Sequence, residues 1–222
     1  MNQYFFCPCP RGLETLLVEE LTALGANKVT SVHGGVQFEG TWELCWRANL
    51  ESRYATRVLW KVGHSTYQTE DHIYKIGHKL PWETWFTPEH TIRVYVTAIK
   101  SPLKSLNFIT LKIKDSICDH FRETVGSRPS INTENPDFRI HAFITAESCT
   151  LYIDTSGEPL YKRGFKLAKV KAPLKENLAA GIIKLSGWKY DQPFFDPMCG
   201  SGTFLIEAAQ MALDIAPGIG RN

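Results

Sequence analysis

The chain has 222 residues, 25 Lys and Arg against 23 Asp and Glu, a formal charge of +2 and 43% hydrophobic content. That is ordinary globular composition, long enough for one large domain or two small ones, and too weakly basic for a nucleic-acid coat, so any polyanion site has to be a local patch. No apolar run approaches the ~18 residues of a membrane span, and no basic region with an apolar core opens the chain. Six cysteines, of which only Cys7 and Cys9 are close, complete no zinc spacing, and the seven histidines form no HExxH-like pair. They read as reduced thiols in a cytoplasmic protein without a metal.

Residues 3–7 predict a strand. Leu13, Leu16, Leu17, Leu21 and Leu24 then lie on one face at helical spacing, and Gly25 is suited to end that helix in a left-handed conformation. Residues 29–38 alternate about Gly34 and Gly35 as a hairpin or bulged strand does. Thr41 can cap a helix running to about Ser52, with Leu44, Cys45 and Ala48 inward, and residues 55–62 read as another strand. This order predicts a small α+β unit of the ferredoxin-like kind.

A second unit follows. Residues 71–80 predict a helix, and Ile92, Val94, Val96 and Ala98 alternate with Arg93, Tyr95 and Thr97 as a half-buried strand. Ser105 is placed to cap a long helix to Val125, whose apolar line is Leu106, Ile109, Ile113, Ile117 and Phe121, with Gly126 just beyond. Strands at 138–145 and 149–154 are joined by the turn Ala146-Glu147-Ser148. Neither unit carries a catalytic constellation. Both read as scaffolds that present a surface.

After Asp154 the balance turns basic. Lys162, Arg163, Lys166, Lys169, Lys171, Lys175, Lys184 and Lys189 meet only Glu158 and Glu176 before Asp191. Cations on an exposed connector need no partner. The functional reading is a phosphate-contacting strip of Lys162, Arg163 and Lys166, extended by Lys104, Lys112 and Lys114 near the long helix, because aligned cations gain affinity by releasing counterions from a nucleic acid. Tyr161 and Phe165 supply rings able to stack on bases.

The stretch Phe194-Phe195-Asp196-Pro197-Met198-Cys199-Gly200-Ser201-Gly202-Thr203 has the form of an apolar strand end, an acid, a glycine turn and the start of a helix at 204–213. Glycines admit close approach of a ligand, and a helix N-terminus offers free N–H groups and positive potential to an anion. A P-loop needs Gly-Lys-Ser/Thr, and here Thr203 and Phe204 follow Gly202. A dinucleotide fingerprint needs a third glycine where Leu205 stands. An acid before the glycines suits S-adenosylmethionine, whose ammonium and sulfonium would face Asp196 while its carboxylate meets the Gly200–Thr203 amides. A Gly-Ser-Gly turn without any ligand is the competing reading.

Residues 196–209, Asp-Pro-Met-Cys-Gly-Ser-Gly-Thr-Phe-Leu-Ile-Glu-Ala-Ala, resemble the first cofactor motif of the THUMP-domain RNA guanine-N2 methyltransferases, most of all the bacterial kind that methylates a guanine of 23S ribosomal RNA. Arg163-Gly164-Phe165, the run from Ala172 to Ala180 and Leu185-Ser186-Gly187-Trp188 are similar to that family's bridge into the catalytic domain. The resemblance implies a ferredoxin-like domain at 1–65, a THUMP RNA-binding domain at 66–157, a basic linker with an upstream cofactor motif at 158–190, and at 191–222 the first strand and helix of a Rossmann-like methyltransferase domain. It also implies that Asp196, Met198, Cys199, Gly200, Ser201, Gly202 and Thr203 line the S-adenosylmethionine site, with Lys175, Glu176 and Asn177 nearby. Large-subunit ribosomal RNA is the implied partner.

The family's Asn/Asp-Pro-Pro-Tyr/Phe catalytic loop does not occur after Thr203. Asn135-Pro136-Asp137-Phe138 departs from it and precedes a strand, as a turn does. The helix at 204–213 is apolar except for Glu207 and Gln210, and such a helix expects burial on more than one side. These features predict an N-terminal part of a longer methyltransferase that transfers no methyl group by itself and self-associates through the helix. A free-standing THUMP RNA-binding module or adaptor is the alternative.

Overall fold

The computed structural model of the chain describes residues 2–165 and 174–221. In chain order its elements are β1 (Gln3–Pro8), α1 (Glu14–Ala23), β2 (Asn27–Val32), β3 (Gly35–Gly40), α2 (Trp42–Glu51), β4 (Leu59–Thr66), α3 (Glu70–His78), β5 (Thr91–Ala98), α4 (Leu106–Val125), β6 (Ser130–Ile131), β7 (Phe138–Ile144), β8 (Ser148–Asp154), α5 (Glu176–Leu185) and α6 (Thr203–Ala212). They group into two compact units, one of residues 1–58 with 158–222 and the other of residues 59–157.

In the first unit β3 pairs antiparallel with both β1 and β2, the β1 register setting Phe5 opposite Phe38 and Cys7 opposite Val36. Alternation thus sends Phe5, Cys7, Val36 and Phe38 to one face, where they are buried with Leu13, Leu17 and Leu21 of the first helical stripe. Each such side chain contributes roughly 1.5–3 kcal/mol of burial. Gly25 ends the first helix at φ +96°, and the Thr41 hydroxyl accepts the Leu44 N–H at 3.3 Å to cap the second. Both features follow the sequence expectation.

The strand expected at 55–62 lies later, at Leu59–Thr66. Residues before it are engaged in a turn: the Glu20 carboxylate accepts the Ser52 hydroxyl and the Arg53 N–H, and the Ser52 oxygen accepts the Ala55 N–H. Side-chain bonds to the backbone compete with sheet pairing there.

The second unit has strand order β4-β8-β7-β5-β6. β5 and β7 are parallel, joined by α4 as the crossover, while β7, β8 and β4 run antiparallel in turn. Ile109, Ile113, Ile117 and Phe121 of the long helix are fully buried in one cluster with Ile73, Ile92, Ile140 and Leu151. Ser105 caps this helix through the Phe108 N–H at 3.2 Å, and Gly126 closes it at φ +83°. The residues from Asn132 to Asp137 form a turn, with Asn132 Oδ1 accepting the Glu134 and Asn135 amides and Asp137 accepting the Thr91 N–H.

Candidate functional site

Glycine geometry shapes the terminal loop. Gly200 and Gly202 have φ of +54° and +73°, which only glycine adopts without strain, and a Cβ at either would meet nothing within 4 Å. The conformation, not crowding, calls for glycine at these two positions. Asp196 Oδ1 accepts the Met198 N–H at 3.0 Å, and the Cys199 carbonyl accepts the Gly202 N–H at 2.8 Å, so each half of the loop is held by its own bond.

The last αL residue, Gly202, is also the N-cap of α6 and brings no side-chain acceptor to it. The first-turn N–H groups of that helix therefore have no intrahelical partner and present positive potential beside the loop. Met198 is 89% exposed and Cys199 is the one exposed thiol of the six. An open, mostly apolar hollow of about 240 Å³ flanks Asp196, lined by Ile182, Ile183, Phe194, Phe195 and Phe204. A carboxylate, donor amides and an apolar hollow within one short stretch fit a zwitterionic ligand with an apolar part. Residues 193–196 take no strand pairing among the described residues, against the expected strand end, because a strand is defined by a neighbour to bond.

Several expected RNA contacts are placed otherwise. Arg163 is 2% exposed: its Nη1 donates to Glu207 Oε2 at 2.7 Å and its Nη2 to the Arg53 carbonyl at 2.8 Å. A guanidinium buried among these acceptors is a structural clamp and not, as the sequence suggests, a member of an exposed phosphate strip. Burial lowers its pKa, opposed by the Glu207 charge. Lys162 is exposed and pairs with Glu158. Lys112 bonds to Asp71 at 2.7 Å and Lys114 pairs with Asp115. Two residues apart on one helix, Lys112 and Lys114 do not share a face. Lys104 is exposed, and Lys166 lies outside the described residues.

The upstream motif is likewise more structural than expected. Asn177 is 1% exposed and donates to the Tyr54 carbonyl and the Thr56 hydroxyl. The Lys175 ammonium sits over the Tyr161 ring at 5.1 Å. Helix α5, which sequence reading did not foresee, packs by small residues: a Cβ on Gly181 would come within 2.4 Å of Leu13. In α6 the polar Glu207 and Gln210 are buried while Leu205 is 38% and the following Leu213 69% exposed. The helix buries Ala208 and Met211 and, along with them, its polar Glu207 and Gln210, with Glu207 turned to Arg163. The i, i+4 spacing of Ala179 and Ile183 in a run of helix-forming residues was the available signal for α5.

Three family models match consecutive parts of the chain: an RlmL ferredoxin-like domain over residues 4–59, a THUMP domain over 67–154, and an RMKL-like methyltransferase domain over 163–222. Together with the fold they define the class. The chain carries a ferredoxin-like unit, a THUMP domain and a methyltransferase-like start.

Within that class the chain is 41% identical to the ribosomal RNA large subunit methyltransferase K/L of Cellvibrio japonicus, over 100% of this chain and 30% of that protein. Its identity to the protein of the same description from Syntrophotalea carbinolica is 41%, over 98% of this chain and 31% of that one. The chain thus spans about a third of the length of the curated relatives it matches. Among solved structures, SMU.472 complexed with SAH aligns with a TM-score of 0.88 and 32% identity, over 100% of this chain and 58% of that one. A predicted N6-adenine-specific DNA methylase from Listeria monocytogenes aligns with a TM-score of 0.89 and 34% identity, again over 100% and 58%. Among the described residues no metal-holding cluster occurs and no helix is long and apolar enough to cross a membrane.

Proposed function

We propose that this chain is the RNA-recognition part and the first cofactor-binding segment of an S-adenosylmethionine-dependent methyltransferase acting in the cytoplasm on large-subunit ribosomal RNA, at a guanine N2. The observation that carries the reading is the loop Asp196–Thr203, where an acid and two left-handed glycines lead straight into an uncapped helix N-terminus. Asp196 would take the cofactor's ammonium, and the amides of Gly200, Ser201 and Thr203 its carboxylate. Met198 and Cys199 would border the same ligand. When bound, S-adenosylmethionine supplies an electrophilic methyl group. The residues of this chain hold and orient the donor.

The ribosomal RNA substrate is supported by the relatives named above and by the THUMP match. The guanine N2 target rests on the motif resemblance. No Asn-Pro-Pro-Tyr-like loop follows Thr203 within the 222 residues, and we infer that this chain alone holds the donor weakly and transfers no methyl group.

Isothermal titration with S-adenosylhomocysteine tests the reading on the whole gene product. The expected result is binding that Asp196→Ala weakens by at least tenfold, the loss of one charge-assisted hydrogen bond of about 1.5–3 kcal/mol. No heat of binding, or an unchanged affinity in the folded variant, rejects the donor site. Methyl transfer to ribosomal RNA by the purified 222-residue chain rejects the inference that it transfers no methyl group by itself.

A further inference from the structure

The THUMP unit contains a second site, distinct from the glycine loop and formed by residues outside the expected RNA strip. A hollow of about 560 Å³ lies between the end of β4, the turn leading into α3, and the outer side of α3. Its volume falls in the range of small-ligand pockets. His64, His72, Lys75 and Lys79 line it, and none of its eleven lining residues is acidic.

Local structure explains how these cations converge. His72, Lys75 and Lys79 recur at helical spacing along one stripe. The β4–β8 register shifts between Lys61 and Gly63, a bulge that bends the strand next to the hollow. A Cβ at Gly63 would come within 2.9 Å of Leu80 Cδ1, so glycine there leaves the Leu80 side chain undisturbed against the strand. Tyr67, 5% exposed, anchors the turn by donating its hydroxyl to the Thr145 carbonyl at 2.7 Å.

The charges of the hollow are not neutralised from within. Lys75 and Lys79 form no ion pair among the described residues, and of the two acids at the start of their helix, Glu70 and Asp71, the latter is bonded to Lys112 at 2.7 Å. His72 Nδ1 accepts the Gln68 N–H at 3.2 Å, which leaves its Nε2 as the donor. Two ammonium groups and an imidazole N–H in an open hollow without a carboxylate are complementary to phosphate oxygens.

We propose that this hollow is a phosphate-binding site that grips the backbone of the RNA, with Lys75, Lys79 and His72 as its contacts. The assignment of RNA rather than a free phosphate ester rests on the functional reading above. The hollow itself rests on geometry alone.

The test uses the 222-residue chain and a fluorescently labelled large-subunit ribosomal RNA fragment, read by anisotropy over a salt series, with 15N amide shifts recorded in parallel. Both lysines are exposed, so the K75E/K79E variant should keep the wild-type thermal midpoint. The expected result is binding about tenfold weaker or worse, a slope of log affinity against log salt reduced by about 1.5–2, and wild-type shifts at Thr66, Gln68 and His72 that the variant lacks. Wild-type RNA binding with an unchanged affinity and slope in the variant overturns the site and leaves the RNA reading standing. Inorganic pyrophosphate is the second probe. Shifts at those amides with pyrophosphate but no RNA binding overturn the RNA assignment and keep a phosphate site, and no shift with either probe overturns both.

Discussion

Arg163 Nη1 lies 2.7 Å from Glu207 Oε2 with both side chains almost wholly buried, joining the segment that follows Glu158 to the helix that begins at the glycine loop. The Arg53 guanidinium adds bonds to the Gln210 and Ile215 carbonyls at 3.3 and 2.6 Å, so two arginines hold α6 within its unit. The loop that would hold the donor is therefore carried on a helix whose position depends on buried charge.

Removing one member of such a pair strands the other. Arg163→Ala is expected to destabilise the first unit by about 3–5 kcal/mol, while the double replacement Arg163→Met with Glu207→Leu recovers most of that loss. Urea unfolding of the two variants beside the parent chain checks it, and equal destabilisation by the single and double changes would refute the ion-pair account.

Burial raises the Glu20 carboxyl from 4.5 to about 7, against hydrogen bonds from Ser52 and Arg53 that favour its charged form. The contribution is fully present below pH 4.5, where both states are protonated. Between 4.5 and about 7 the folded chain keeps a proton that the unfolded chain has released, so stability falls as pH rises. Glu20→Gln is expected to flatten this part of the curve of thermal midpoint against pH. A parallel curve for the variant would show that Glu20 does not titrate there.

Helices α3 and α4 meet where a Cβ on Gly77 would lie 2.2 Å from Ser116 Oγ. Gly77→Ala is expected to cost the THUMP unit about 1–3 kcal/mol by overpacking, and Ser116→Ala in the same chain to return part of it. A double-mutant cycle in denaturant gives the coupling, and additive costs would place the strain elsewhere.

Cys199 is exposed and the other five thiols are buried, with burial pushing Cys9 and Cys149 up to about 12. A maleimide should label the native chain once, at Cys199, and all six thiols only after unfolding. In the whole gene product, S-adenosylhomocysteine should slow this labelling. Rapid labelling that ignores the ligand would separate Cys199 from the donor site.

Element order and type were largely readable from periodicity, caps and glycines, because these signals act within a few residues: the stripe ending at Gly25, the Thr41 and Ser105 caps, and the turn through Gly200 and Gly202 all fall where local chemistry puts them. What a charge does was not. The run of cations after Asp154 has one composition, yet Arg163 is buried against Glu207 and Lys162 is exposed, and only the fold separates the two. The parallel pairing of β5 with β7, the inward polar side of α6 and the gathering of His64 with Lys75 and Lys79 are likewise decided by the tertiary structure. Sequence states which residues neighbour one another along the chain, while burial and partnership depend on contacts between residues far apart in it, and those exist only once the chain has folded.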